Sequence, residues 1–255
     1  MKLDDKTIVL TGATSGIGLA TAHALAGRAG RLILHGIEET SPLAEGGNVA
    51  YFQADFSSLR AVTELAERIR ATAGRVDVLV NNAARPGPEL RTMSGDGHEL
   101  TFQTNYLAAV ALTQQLGTPD RVVNVSSATH LSATLHLDDV DLTHHRYAPE
   151  IAYAQSKLAL VAETCRLAAT LKDTGRTAVS VHPGIISTAL LHAMFAIRGD
   201  TTEQAAATLV HVITRENDNG TYYDERSPAA PNPIALDPVF QQRLRELTQA
   251  AIGDR

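Results

Sequence analysis

The chain has 255 residues, 44% of them hydrophobic and 20% charged, with 22 Lys and Arg against 28 Asp and Glu. One α/β domain can reach roughly 250 residues, and a net charge of −6 excludes a protein built on phosphate-backbone contacts, which needs clustered Lys and Arg. A lone cysteine, Cys165, excludes an internal disulfide and a cysteine-based zinc site.

Five Phe, six Tyr and no Trp offer no stacking platform for single-stranded nucleic acid. The first residues lack an apolar signal core, and no apolar run approaches the ~18 residues of a membrane span. The expectation is a soluble cytoplasmic globule whose substrate site is built from the same domain as everything else.

In chain order, Thr7–Thr11 reads as a buried strand and Gly16 to about Ala29 as a helix. Strands follow at Arg31–His35 and Val49–Gln53. Leu59–Ala73 places Leu59, Val62, Leu65, Ala66 and Ile69 at the three-to-four spacing of an amphipathic helix. Val76–Val80 is the fourth strand, a helix spans about Gly97 to Leu116, and Arg121–Val125 is the fifth strand. A long loop, Ala128–Glu150, precedes a helix from about Ile151 to Leu171. Thr177–Val181 is the sixth strand and Thr221–Tyr223 a short seventh. Ser227–Pro238 reads as a surface loop before a last helix, Pro238 to about Ala251. Strands alternating with helices imply parallel pairing through right-handed crossovers, hence a sheet covered on both faces.

The first strand runs into Thr11-Gly12-Ala13-Thr14-Ser15-Gly16-Ile17-Gly18 and then a helix. Gly12 permits the tight turn, Gly16 lets a pyrophosphate approach the backbone, and Gly18 lets helix and strand pack closely. The helix N-terminus adds free N–H groups and partial positive charge. The spacing Gly-x-x-x-Gly-x-Gly resembles the short-chain dehydrogenase/reductase family. Asp55, followed by Phe56, matches that family's acidic residue near the adenine. Asn81-Asn82-Ala83-Ala84 matches its Asn-Asn-Ala-Gly motif, with Ala84 in place of the usual glycine.

Tyr153 and Lys157 fall at i, i+4 in a predicted helix, so they share one face. A phenol, with its pKa near 10, is a poor acid or base at neutral pH unless a nearby cation stabilises phenolate. Lys157 can supply that cation and also hold ribose hydroxyls. Ser126-Ser127 ends the fifth strand, where open parallel sheets bind ligands, and a reactive carbonyl needs such a donor. The family motif picks Ser127, leaving Ser126 as a structural hydroxyl. Asn105 matches the family's helix asparagine, which holds a proton-relay water. Pro183, Gly184, Ile185 and Thr188 match the segment that approaches the nicotinamide.

The resemblance covers about residues 5 to 251. It implies one dinucleotide-binding Rossmann domain over 1–255, with seven parallel strands in the order 3-2-1-4-5-6-7. It also implies an NAD(P)-dependent oxidoreductase acting on a carbonyl or secondary alcohol, and a homodimer or homotetramer. The catalytic set would be Asn105, Ser127, Tyr153 and Lys157. The cofactor contacts would be Gly12, Thr14, Ser15, Gly16, Ile17, Gly18, Ile37, Asp55, Phe56, Asn82, Ala83, Ala84, Tyr153, Lys157, Pro183, Gly184, Ile185 and Thr188. A non-catalytic nucleotide sensor on the same fold would be expected to have lost one of the catalytic four, and none is lost.

Gly97–Leu107, Ser126–His130 and the 26 residues from Ser127 to Tyr153 are similar to the retinol-dehydrogenase and WW-domain-oxidoreductase branch, which acts on apolar substrates. Two departures stand out. The branch's 2′-phosphate arginine falls on Ile37, the acidic position of NAD users falls on Gly36, and Ser15 replaces the basic residue of many NADP users; the branch itself favours NADP. The substrate-binding region within 185–235 is also short. Only Ala189–Asp200 remains, either as an apolar lid or as a helix packed on the core. His144-His145 lack a third metal ligand, and Cys165, His130 and His182 read as structural.

Overall fold

Apolar strands alternating with amphipathic helices fold as that pattern dictates. In the computed structural model, which describes residues 1–43 and 47–253, β1 (Thr7–Leu10) leads through α1 (Gly16–Ala26) to β2 (Arg31–Gly36), and β3 (Val49–Gln53) pairs outside β2. The chain returns through α2 (Leu59–Ala73) to β4 (Val78–Asn81) on the other side of β1. It then builds outward through β5 (Arg121–Val125), β6 (Thr177–His182) and β7 (Tyr222–Asp224), all parallel. This reversal of direction beside β1 opens a crevice at the carboxyl ends of the strands.

The expected order holds with one addition. Ser227–Ala229 forms β8, antiparallel to β7, so the sheet has eight strands among the described residues rather than seven parallel ones. Two features make the hairpin possible: Glu225 takes a left-handed φ of 53° where the chain reverses, and Pro228 lies on the outermost strand, where a missing N–H is tolerated. The rest of the expected loop carries a 3-10 turn, Pro233–Leu236, before α8 (Pro238–Ile252).

Successive residues of β1 serve opposite layers. Val9 joins Leu65, Ile69, Leu112 and Leu158, whereas Ile8 and Leu10 join Leu25, Leu209 and Ile213. Each such side chain fully removed from water contributes about 1.5–3 kcal/mol. At the start of β5 the buried Arg121 guanidinium donates to both oxygens of Asp218, each at 2.8 Å, and to the Val212 carbonyl at 2.7 Å. That pair ties β5 to α7 (Thr202–Thr214) and to the loop before β7.

The expected Gly97–Leu116 helix is the largest departure. Gly97, at φ 87°, closes a turn in which Met93 bridges Glu99. Glu99 then caps α3 (Leu100–Phe102) by accepting from the Thr101 and Phe102 amides. One π turn, Gln103–Leu107, intervenes before α4 (Ala108–Gln115), with the Ala108 N–H donating to the Gln103 carbonyl five residues back. Smaller shifts have local causes. α1 ends at Ala26 because Gly27 follows, and α5 (Pro149–Thr170) begins two residues early because Pro149 suits a first helical turn. The long loop from Ala128 opens with a 3-10 helix, Ala128–Ser132, capped by Ser127.

Candidate active site

At the crevice a cavity of about 580 Å³ runs from the Gly-rich turn past β2 and β5 to α5. Every residue that the resemblance assigned to a dinucleotide lines it; of the expected catalytic four, only Asn105 does not. The turn is shaped by contacts that leave no room for side chains. A Cβ on Gly18 would lie 1.9 Å from the Gly12 carbonyl oxygen, and one on Gly12, at φ 66°, would lie 2.7 Å from the Ala83 Cα. Asn82 Nδ2 donates to the Thr11 and Gly12 carbonyls at 2.9 and 3.1 Å, holding the turn against the end of β4. The first turn of α1 carries neither a side-chain cap nor an acidic residue. Its free N–H groups face a roomy cavity, which fits a pyrophosphate.

At the end of β2, Gly36 is enforced by its neighbours, since a Cβ there would lie 2.4 Å from Thr14 Cγ2. Glu38 accepts a hydrogen bond from Thr14 Oγ1 at 2.5 Å and Ile37 is 58% exposed at the cavity edge. Asp55 folds one carboxylate oxygen back onto the Ser57 amide at 2.8 Å. Phe56 stacks on His35 with ring centroids 4.2 Å apart.

At the other end β5 delivers Ser127, and α5 delivers Tyr153 and Lys157 one turn apart, as the i, i+4 spacing requires. Ser127 shares the cavity wall with Tyr153; burial dominates and pushes that phenol up to about 12, while Ser127 works to lower it. Burial also pulls Lys157, 2% exposed, down to about 7. Its ammonium donates to the Val125 carbonyl at 2.8 Å and lies 5.6 Å from the Tyr153 ring centroid. Lys157 therefore lies beside Tyr153 but does not depress it here; desolvation dominates. Ser126 donates to the Lys157 carbonyl at 3.4 Å, a structural role.

Asn105 sits behind the cavity wall, 1% exposed, within the π turn. Its Oδ1 accepts from the Arg85 amide at 2.8 Å, and its Nδ2 donates to the Arg85 carbonyl at 3.0 Å and to Ser156 Oγ at 3.1 Å. Both amide hydrogens are thereby engaged, cross-linking the loop after β4 to α5. An extra residue in a helical turn is a frequent device for aiming a group at a functional site.

Pro183 and Gly184 close β6, and Thr188 caps α6 (Ala189–Met194) by accepting from the Leu191 amide at 3.2 Å. The segment after Ile185 leaves and returns to one base. Asp200 donates to the Ile185 carbonyl at 2.7 Å, Ser187 donates back to the Asp200 carbonyl at 2.9 Å, and Ser187 Oγ exchanges hydrogen bonds with Gly199. No residue of α6 is buried, yet Leu190, Leu191, Met194, Phe195 and Ile197 line the cavity. The segment is thus an apolar flap at the cavity rim, not a helix packed on the core.

Sequence reasoning missed His35. It is 3% exposed; its Nδ1 accepts the Gly12 N–H at 3.3 Å while Nε2 reaches the Ala54 carbonyl at 3.0 Å. Those partners require the neutral ring protonated on Nε2, and burial pulls its pKa down to about 4. A histidine inside an apolar strand was the available signal. His130 is structural, holding the Ser127 carbonyl at 2.7 Å, whereas His182 lines the cavity.

Residues 6–198 match the model of the short chain dehydrogenase family. Retinol dehydrogenase 13 of Mus musculus is 32% identical over 97% of this chain and 84% of its own length. DnrU of Streptomyces sp. (strain C5), a protein whose name proposes a daunorubicin C-13 ketoreductase, is 33% identical over 99% of this chain and 94% of its own. A short chain dehydrogenase from Burkholderia cenocepacia J2315, solved in complex with NADP, superposes with a TM-score of 0.67 at 25% identity, over 87% of this chain and 96% of that one. The match over most of its length and the cavity it surrounds agree: the chain belongs to the short-chain dehydrogenase/reductase family and is a nicotinamide-dependent oxidoreductase.

Proposed function

We propose that the enzyme interconverts a carbonyl and a secondary alcohol on a bulky, largely apolar small molecule, with Ser127, Tyr153 and Lys157 as the catalytic residues. The observation that carries this is that Ser127, Tyr153 and Lys157 line one wall of the cavity, with the Lys157 ammonium 5.6 Å from the Tyr153 ring centroid. A bound nicotinamide dinucleotide, NAD or NADP, supplies or accepts the hydride. The Gly12–Gly18 turn and the free amides of α1 would hold its phosphates, and Lys157 would hold its ribose.

Held up near 12, Tyr153 keeps its proton at neutral pH and is the donor to the carbonyl oxygen during reduction. Ser127 fixes that oxygen with its own hydroxyl, a donor already in place before charge develops. Lys157 lies in the same wall and returns positive charge to the phenol as the proton leaves. Asn105 acts through the loop after β4 and the helix α5 that it joins, positioning α5; a relay water would have to be held by its main chain. The flap of Leu190, Leu191, Met194 and Phe195 forms the substrate side and supports the apolar substrate class. Its shortness leaves room for a substrate that protrudes. No helix among the described residues is long and apolar enough to cross a membrane. Pairing of chains through α4 and α5 is part of this proposal, and light scattering tests it.

The test is reduction of a panel of bulky ketones and small polar ketones with reduced dinucleotide, followed by loss of nicotinamide absorbance. Turnover favouring the bulky apolar members is expected. Dinucleotide binding without turnover of any carbonyl would instead indicate a nucleotide sensor.

A further inference from the structure

We infer that Glu38 makes this enzyme an NAD user by repelling the 2′-phosphate of NADP. The inference rests on the cavity being a dinucleotide site, as proposed above. In this fold the end of the second strand meets the adenosine ribose, whose 2′ substituent is the sole difference between the two cofactors. A 2′-phosphate needs a cation there, and a bare 2′-hydroxyl suits a carboxylate.

The charges lining the cavity are divided by sign along its length. At the β2 and β3 end they are Glu38 and Asp55, with no Lys or Arg. The lining cations, Arg85 and Lys157, belong to the catalytic end, where the Arg85 main chain is joined to Asn105 and the Lys157 ammonium to the Val125 carbonyl. Arg68, on α2, is held over the Phe52 ring at 4.5 Å and to the Gln53 carbonyl at 3.3 Å. Ser15 and Ile37 bring no charge to the same end.

Glu38 is also fixed where it stands. Thr14 Oγ1 donates to its carboxylate, and Tyr51 Oη donates to its carbonyl at 2.5 Å. Thr14 belongs to the phosphate-binding turn, so the carboxylate is tethered to the wall of the adenosine pocket. Gly36 contributes to this arrangement. Any side chain at Gly36 would collide with Thr14 and with the Tyr51 hydroxyl, so the acidic group enters from two residues further along. This reading reverses the preference for NADP that the branch resemblance suggests.

The experiment is fluorescence titration of the apoprotein with NADH and with NADPH, at low and at high salt, for the wild type and for Glu38→Gln and Glu38→Arg. The side chain is exposed, so the substitutions leave the core untouched. Wild type is expected to bind NADH tighter by at least about tenfold at low salt, a gap that narrows with salt as like-charge repulsion is screened. Glu38→Gln should close most of the gap by improving NADPH binding, and Glu38→Arg should invert it. NADPH binding as tightly as NADH to the wild type, or a ratio unmoved by Glu38→Gln, overturns the inference and leaves the site reading intact. Binding of neither dinucleotide overturns both.

Discussion

The Lys157 ammonium donates to the Val125 carbonyl at 2.8 Å, so the cation of the catalytic pair is anchored to the end of β5 inside a desolvated wall. Its pKa falls to about 7 from an ordinary 10.5. Between those values the folded state binds fewer protons than the unfolded chain, so Lys157 costs stability at neutral pH, and the cost shrinks as pH rises toward 10.5. Lys157→Met should therefore raise stability by about 1–3 kcal/mol while abolishing turnover. Thermal unfolding at pH 7 and at pH 9.5 checks it, with the advantage of the variant smaller at the higher pH. A variant less stable than wild type at pH 7 would show that the Val125 bond outweighs desolvation.

Tyr153→Phe removes one hydroxyl from a site where the ring is 7% exposed and packed. Turnover should fall by about 10³-fold, as expected when a positioned proton donor is lost. Dinucleotide affinity should change by less than about threefold, since the lost hydroxyl lies at the Ser127 end of the cavity rather than at the Gly12–Gly18 turn. Parallel measurements of kcat and of NADH binding separate the two, and retained activity would remove Tyr153 from the chemistry.

Part of this site was legible from residue spacing, and the rest came from the family resemblance. Gly12, Gly16 and Gly18 announce a phosphate turn, and Tyr153 and Lys157 announce one helix face. What stayed hidden depends on contacts between segments far apart in the chain. Thr14 and Glu38 are 24 positions apart and meet only because β2 lies beside β1. The π turn at Gln103–Leu107 is set by Asn105 reaching Arg85 and Ser156, which helical periodicity does not encode. β8 escaped because Ser227-Pro228-Ala229 has no strand-like composition; its pairing is imposed by the turn at Glu225.

His35 gives the fold a specific acid sensitivity. Its pKa is pulled to about 4 from an ordinary 6.5, so between those values the unfolded chain binds the extra proton and stability falls as pH drops. The full shift corresponds to about 3 kcal/mol. Protonation also removes the lone pair that accepts the Gly12 amide, so dinucleotide affinity should weaken over the same range. His130, His182 and His211 are lowered by burial in the same direction, so the wild-type slope is composite. Urea unfolding from pH 7 to pH 4.5 should show a shallower decline in His35→Asn. An unchanged slope would assign the acid sensitivity to His130, His182 and His211.

Gly199 holds the base of the apolar flap at a point where the backbone leaves no space. A Cβ there would lie 2.1 Å from the Ile185 carbonyl oxygen and 2.8 Å from the Ile186 amide nitrogen. Both atoms belong to the strand-like bridge between Ile186 and Asp200 that closes the segment. Gly199→Ala must spread that base. The strain falls on a surface loop outside the buried layers, so global stability should drop by no more than about 1 kcal/mol. The flap residues that line the cavity would shift with it, and KM for a bulky apolar substrate should rise severalfold more than KM for a small one. Steady-state kinetics with a matched pair of ketones, one large and one small, reads this directly. Equal changes for both would show that the flap does not contact the substrate and that the cavity wall alone selects it.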